Sequence, residues 1–407
     1  MKAYERLLNY AVIRTPSDEN SETVPSSNCQ FALAEKLCEE LHELGVVAFV
    51  DDKCFVYGKI DATRGYEHCK KLGFIAHMDT VSDYCDHDIV PVVTENYNGE
   101  DLVLGNSGRV LSVKSFPHLP SLKGRTLITT DGTTVLGADD KAGIADIMTM
   151  VERLMNGEIP HGPIRIAFTP DEEIGTGSHS FNVPEFDADF AYTVDGGAEG
   201  EIEFENFNAC AAKFEIEGFS VHPGSSKDTM INACLVAMEI NNLLPGADTP
   251  RDTEGYEGFF HLTDMSGDVA NATLNYIIRD HDASLFEARK NTLRHIEKIM
   301  NEKWGEGTVT LTIKEQYTNM AEIIKDHMHL IENAKQAAEN VGITPEVMPI
   351  RGGTDGAYLS FHGLPCPNLG TGGYAFHGPY EHITAEGMDK ATDMLMEIAM
   401  LYARGNN

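Results

Sequence analysis

The sequence predicts an α/β fold: a sheet covered by helices on both sides, interrupted by a ferredoxin-like βαββαβ domain. Three observations predict it. Short apolar runs at residues 72–76 and 190–194 are too brief for helices and read as buried strands. Helical periodicity lies between such runs, with Ile144, Ile147, Met148, Val151 and Leu154 on one face. From about residue 208 the style changes to the apolar–polar alternation of half-exposed strands. The expected boundaries are therefore a main domain formed by 1–207 and 321–407, and an inserted domain at 208–320.

Taken in order, residues 28–44 form a first helix. Phe31, Leu33, Ala34, Leu37, Cys38, Leu41 and Leu44 recur at helical spacing, and Gly45 closes the run. Residues 72–76, 126–130, 164–169 and 190–194 are strands of one sheet. The stretch 83–122 is loop-rich. In the insertion, 213–218 is a strand and 230–244 a helix. Residues 258–263 and 270–279 are two strands, 284–303 is a helix with Leu285, Leu293, Ile296 and Met300, and 308–314 is the last strand. A final amphipathic helix covers 385–402.

The 407 residues carry a formal charge of −33, and 42% are hydrophobic. That apolar content is ample for cores and excludes a disordered acidic chain. The sign of the charge excludes nucleic acid and anionic membrane surfaces as expected partners, since both need a basic face. No stretch approaches the ~20 apolar residues of a membrane helix. The start, Met1-Lys2-Ala3-Tyr4-Glu5-Arg6, lacks the apolar core of a signal peptide, and the eight cysteines form no CxxC pair. A cytoplasmic protein with reduced thiols is expected.

Five segments carry chemistry. His77 and Asp79 follow the strand at 72–76, and residues two apart on an extended segment face the same way. They can bind a metal and orient its ligand, or be ordinary loop residues. Asp139 and Asp140 stand at a helix start beside Gly137 and Gly143; either can cap the helix, and a carboxylate can also bridge two ions. Glu172 and Glu173 end another apolar run. They suit a solvated surface, or a division of labour in which one binds a metal and the other takes a proton from water. Asp195 ends the strand at 190–194. His377 lies in Phe376-His377-Gly378-Pro379, with His382 as a nearby competitor. Two histidines with several carboxylates and no thiol suit a zinc pair or a neighbouring divalent metal. No EF-hand spacing is present, which disfavours calcium.

The chain resembles the peptidase T family, the tripeptide aminopeptidases of the dinuclear zinc peptidase superfamily. That superfamily also holds carboxypeptidase G, acetylornithine deacetylase and succinyl-diaminopimelate desuccinylase. The likeness runs end to end and is carried by residues 130–144, 168–173 and 350–356. It implies a zinc-peptidase catalytic domain with a mixed sheet flanked by helices, in which the insertion is a lid that closes over the site. It implies two zinc ions, with cobalt or manganese as alternatives. Asp139 would bridge them, His77 and Asp195 completing one site and Glu173 and His377 the other. Asp79 would orient His77, and zinc-bound water would be activated by Glu172 as general base. Three further positions match substrate-binding residues: His222, Arg279 and Arg351. The implied partner is a small peptide, the implied substrates being tripeptides cleaved at the N-terminal bond; a homodimer is one assembly the sequence allows. A dipeptidase, carboxypeptidase or N-acyl amino-acid deacylase is the sister reading. A non-catalytic metal- or peptide-binding protein is the reading from another class.

Overall fold

The computed structural model describes residues 1–405, and the chain divides into two compact units. The first contains Met1–Phe204, Glu322–Met348 and the chain from Thr354 onward. The second contains Glu205–Ala321 and the short strap Pro349–Gly353.

An eight-stranded mixed sheet organises the first unit. In spatial order its strands are Val47–Val50, Val56–Ile60, Ile164–Thr169, Leu72–His77, Phe190–Val194, Asn368–Leu369, Glu201–Glu203 and Glu346–Val347. Ile164–Thr169, Leu72–His77 and Phe190–Val194 are adjacent and parallel. Every residue of the first two is buried, as expected for strands covered on both faces. The Ala138–Met155 helix packs on the Leu72–His77 strand and on the helices Ala3–Ala11 and Ala385–Ala403. It is buried along most of its length, so it lacks a broad polar face. Its start approaches the sheet closely. A Cβ on Gly143 would lie 1.9 Å from the Val194 carbonyl oxygen, so only glycine fits there.

Two expectations needed correction. The strand at 126–130 forms as Leu127–Thr130, but not in the main sheet. It belongs to a separate antiparallel sheet, between Pro91–Thr94 and His382–Thr384. The reason is a satellite core: Leu127 packs with Tyr97, Leu104, Leu111, Leu119 and Leu122, all from the stretch that reads as loop-rich. The first helix opens as a 3-10 turn, Asn28–Gln30, and is α-helical over Phe31–Glu43. The Ala3–Ala11 helix and the strands Val47–Val50 and Val56–Ile60 were not anticipated.

The second unit has the βαββαβ order. Its antiparallel sheet runs Phe259–Gly267, Asn271–Asp280, Asn208–Glu217, Val309–Tyr317. The helices Ala233–Leu243 and Ala283–Trp304 bury Val236, Ala237, Ile240, Leu293, Ile296 and Met300 against Phe214, Leu274 and Ile278. Each of the larger aliphatic and aromatic side chains contributes about 1.5–3 kcal/mol when fully buried. Asp282 caps the longer helix, accepting from the Ser284 and Leu285 N–H groups at 2.8 Å each. Among the described residues, no helix is long and apolar enough to cross a membrane.

Candidate metal centre

Three adjacent parallel strands deliver polar side chains at their carboxyl ends, where α/β sheets present ligands. Leu72–His77 ends in His77 and runs on to Asp79. Ile164–Thr169 leads to Glu172 and Glu173, and Phe190–Val194 leads to Asp195. Asp139 comes from the non-helical start of Ala138–Met155. His377 comes from the loop between Gly373–Tyr374 and His382–Thr384.

These residues converge. Nε2 of the buried His77 lies 2.9 Å from Oδ1 of Asp139 and 3.5 Å from Oδ1 of Asp195. The other Asp139 oxygen, Oδ2, lies 3.1 Å from Nε2 of His377, and Oε2 of Glu173 lies 3.0 Å from the same nitrogen. Potential ligand atoms of His77, Asp139 and Glu173 gather within 4.8 Å of one another, as do those of His77, Glu172 and Asp195. Asp139 thus offers one oxygen to each histidine, the disposition a bridging carboxylate requires.

A layer of buried carboxylates fixes these groups. Asp79 is fully buried; its backbone oxygen is 3.0 Å and its Oδ1 3.3 Å from Nδ1 of His77. Nδ1–H therefore donates to Asp79, and Nε2 is left facing Asp139 and Asp195. The Asp79 carboxylate also accepts from the N–H groups of Glu172 (2.9 Å) and Glu173 (3.2 Å), tying the glutamate turn to the histidine strand. Asp140 is also near the centre, its carboxylate within 4.8 Å of ligand atoms of Asp139 and Asp195, but its two oxygens are taken by backbone donors. It accepts from the His77 N–H at 3.1 Å and from the Gly143 N–H at 3.2 Å. Both readings of the Asp139-Asp140 pair thus apply, one to each residue: Asp140 caps and Asp139 faces the centre.

Sequence reasoning missed three members of this layer. Glu381 accepts from the N–H groups of Leu136, Gly137 and Asp139. Asp355 accepts from the Thr169 hydroxyl and the Ser178 N–H, each at 3.0 Å. Asp171 accepts from the Ser26 N–H at 2.7 Å and from Gln30. Asp355 and Asp171 stand in the 350–356 and 168–173 strings, which were usable signals; Glu381 had none beyond proximity to His377.

Charge dominates the centre. Burial pushes the Glu172 carboxyl well above the usual range, and the Asp195 charge adds to that. Burial likewise raises Glu173, Asp195 and Asp140. Burial alone would lower His77, but Asp195, Asp139 and Asp79 outweigh it and hold the imidazole well above 6.5. Hydrogen bonds to Asp139 and Glu173 raise His377 to about 11. For Asp139, the two histidines overcome burial and hold it below the usual range. Carboxylates outnumber imidazoles at the centre, and negative charge is in excess. Oε1 of Glu173 is buried without any partner. Nitrogen and oxygen donors, an orphaned carboxylate oxygen and surplus negative charge together fit divalent cations.

The remaining predicted residues belong to the second unit. Exposed His222 accepts the Gly224 N–H on Nδ1 at 3.1 Å. Arg279 is buried; one guanidinium nitrogen donates to the carbonyls of Cys210 and Ile278, and the group lies 5.2 Å from the Tyr317 ring centre. Arg351 sits on the Pro349–Gly353 strap. It donates to the carbonyls of Gly255 (2.7 Å), Glu257 (3.0 Å) and Thr253 (3.4 Å) and to the Thr253 hydroxyl (3.0 Å), over the ring of Phe207. Both arginines spend donors within their own unit, Arg279 also reaching the Tyr317 side chain.

Comparison with known proteins places the chain in a class. Residues 135–401 match the model of Peptidase family M20/M25/M40, and the chain belongs to that family; it is a peptidase. A Peptidase T from Caldanaerobacter subterraneus subsp. tengcongensis is 51% identical over 406 residues, covering 99% of both chains. Another Peptidase T, from Halothermothrix orenii, is 52% identical over 405 residues, again 99% of both. The crystal structure of aminopeptidase PepT from Bacillus cereus shares the fold, with a TM-score of 0.79 over 99% of this chain and 98% of that one, at 22% identity. The chain is therefore a full-length relative of the peptidase T enzymes.

Proposed function

We propose that this peptidase is a metal-dependent tripeptide aminopeptidase, which hydrolyses the N-terminal peptide bond of tripeptides. The observation that carries the reading is Asp139, whose two oxygens each face a different histidine, beside the glutamate pair Glu172-Glu173. The full-length likeness to Peptidase T supports the tripeptide as substrate. Asp139 would be shared by two ions, zinc first and cobalt or manganese as alternatives. His77 and Asp195 would complete one site, Glu173 and His377 the other. Such ions, when bound, polarise a carbonyl and lower the pKa of water.

The protein's own residues do the rest. Glu172 takes the proton of the attacking water and delivers it to the leaving amine; its raised pKa suits a group that must both accept and donate. Asp79 keeps the His77 tautomer fixed throughout. His222 would donate to the oxyanion of the tetrahedral intermediate. Arg279 would bind the peptide carboxylate, and Arg351 would add positive charge to the substrate site.

The test is a panel of one tripeptide, its N-acetylated form and its C-terminal amide, each with and without chelator. Rapid hydrolysis of the free tripeptide, abolished by chelator, is expected. Cleavage of the acetylated compound alone would replace the aminopeptidase by a deacylase. An Arg279→Ala variant should raise KM for the tripeptide about 10–100-fold, the loss of a charge-assisted hydrogen bond, and leave the amide unaffected.

A further inference from the structure

Glu381 joins the two stretches of chain that meet at the centre. It follows His377 by four residues and is only 2% exposed. Its Oε2 accepts from the N–H groups of Leu136 (2.6 Å) and Gly137 (2.9 Å), and its Oε1 accepts from the Asp139 N–H (3.0 Å). Those donors lead up to, and include, the residue whose carboxylate faces both histidines. Among the described residues, Glu381 forms no ion pair with a lysine or arginine; burial pushes its carboxyl up to about 7, and the three backbone N–H groups oppose that shift.

We propose that Glu381 is a positioning residue for Asp139: it clamps the Leu136–Asp139 turn to the His377 segment, so that Asp139 presents one oxygen to each histidine. The inference rests on reading Asp139 as the shared metal ligand. Three donors meeting two oxygens call for a group that only accepts, and an ionised carboxylate is the one side chain that does so. A glutamine of the same shape has a single oxygen. With that oxygen on the doubly used position, its NH2 would confront the Asp139 N–H, donor against donor. The defect would fall on the residue that aims the carboxylate, with little change in volume. Outer partners of metal ligands typically control affinity by about 10–100-fold.

Glu386 supplies the comparison. Its carboxylate also accepts backbone N–H, from Thr126 at 2.8 and 3.1 Å, but it anchors a strand start that carries no ligand. The experiment measures zinc dissociation constants for wild type, Glu381→Gln and Glu386→Gln by competition with a chromophoric chelator at fixed pH. Thermal midpoints of the metal-free proteins are recorded alongside. Glu381→Gln should bind zinc about 10–100-fold more weakly, and Glu386→Gln should match wild type even if its midpoint falls. Zinc binding by Glu381→Gln as tight as wild type overturns the proposal, as does equal weakening in both variants. If Glu381→Gln does not fold, Glu381→Asp keeps both acceptor oxygens and should still bind more weakly than wild type; unchanged affinity there is equally fatal. A wild-type protein that binds no zinc would instead remove the metal reading of Asp139 itself.

Discussion

Two histidine pairs in the first unit have opposite electrostatic fates. In the pair His77 and His377, each Nε2 faces an oxygen of Asp139, at 2.9 and 3.1 Å. In the pair His118 and His382, the two Nε2 atoms face each other at 2.8 Å, with rings 4° from parallel and Tyr374 stacked 4.1 Å from His118. His377 is raised to about 11 by its hydrogen bonds to Asp139 and Glu173. His382 is pushed down to about 4, mainly by burial. Nδ1 of His382 lies 2.7 Å from the Tyr380 carbonyl and must donate there, so its Nε2 accepts and His118 donates. A neutral N–H···N bond thus occupies His382 fully. Residue type makes His377 and His382 equal candidates for a metal; their neighbours make only His377 available.

The acid-rich surroundings of the first pair include Glu172, on which burial and the Asp195 charge outweigh the opposing pull of His77. Glu172 has no side-chain hydrogen bond to either imidazole among the described residues, and it is the proposed base. Glu172→Gln keeps its shape and removes its basicity. The expected loss in kcat is about 10²–10⁴-fold, with metal content unchanged. Metal analysis together with a tripeptide rate checks this; undiminished turnover would take Glu172 out of the mechanism.

The contrast between the pairs sharpens further with His377→Ala and His382→Ala. Removing His377 takes away a proposed ligand, so zinc affinity should fall at least as far as the ~10–100-fold known for outer partners. Removing His382 should leave affinity near wild type and lower the thermal midpoint instead, because a buried stack and two hydrogen bonds disappear. Calorimetric titration of both variants with zinc checks the pair. Equal losses of affinity would erase the distinction.

Much of this was legible in the sequence. The strands at 72–76, 164–169 and 190–194 announce themselves because burial on both faces demands predominantly apolar runs. The site residues follow those strands directly, so motif and placement arrived together. What stayed hidden depends on partners. Residues 127–130 are a strand by composition, but sheet membership is decided by pairing with Pro91–Thr94 and His382–Thr384. Val47–Val50 is short, with Val47 and Phe49 exposed, so it lacks the buried run. Asp139 and Asp140 are chemically identical in sequence and are separated only by where the backbone turns. Glu381 is a lone glutamate in a loop, and nothing but its three backbone donors marks it.

The smallest expected effect, and the most direct reading of the two pairs, is a pair of opposite pH slopes in the metal-free protein. His377 is raised from 6.5 to about 11, so its stabilising contribution is complete below 6.5 and is lost as pH climbs towards 11. His382 is depressed from 6.5 to about 4, so its contribution is complete above 6.5 and is lost as pH falls towards 4. The buried His382 sets an upper slope of about 1.4 kcal/mol per pH unit on the acid side. His377 is half-exposed, and solvent screening makes the alkaline limb shallower than its shift implies. Other buried acids tilt the raw curves: Glu203, raised to about 7 mainly by burial, favours the folded state at low pH. The quantity to compare is therefore the difference between wild type and each variant, from denaturant titrations at pH 4–11 with chelator present. His382→Gln should flatten the acid limb alone and His377→Ala the alkaline limb alone. Both variants altering the same limb would mean that the two pairs share one titration, and that the neighbours of His382 do not isolate it from the centre.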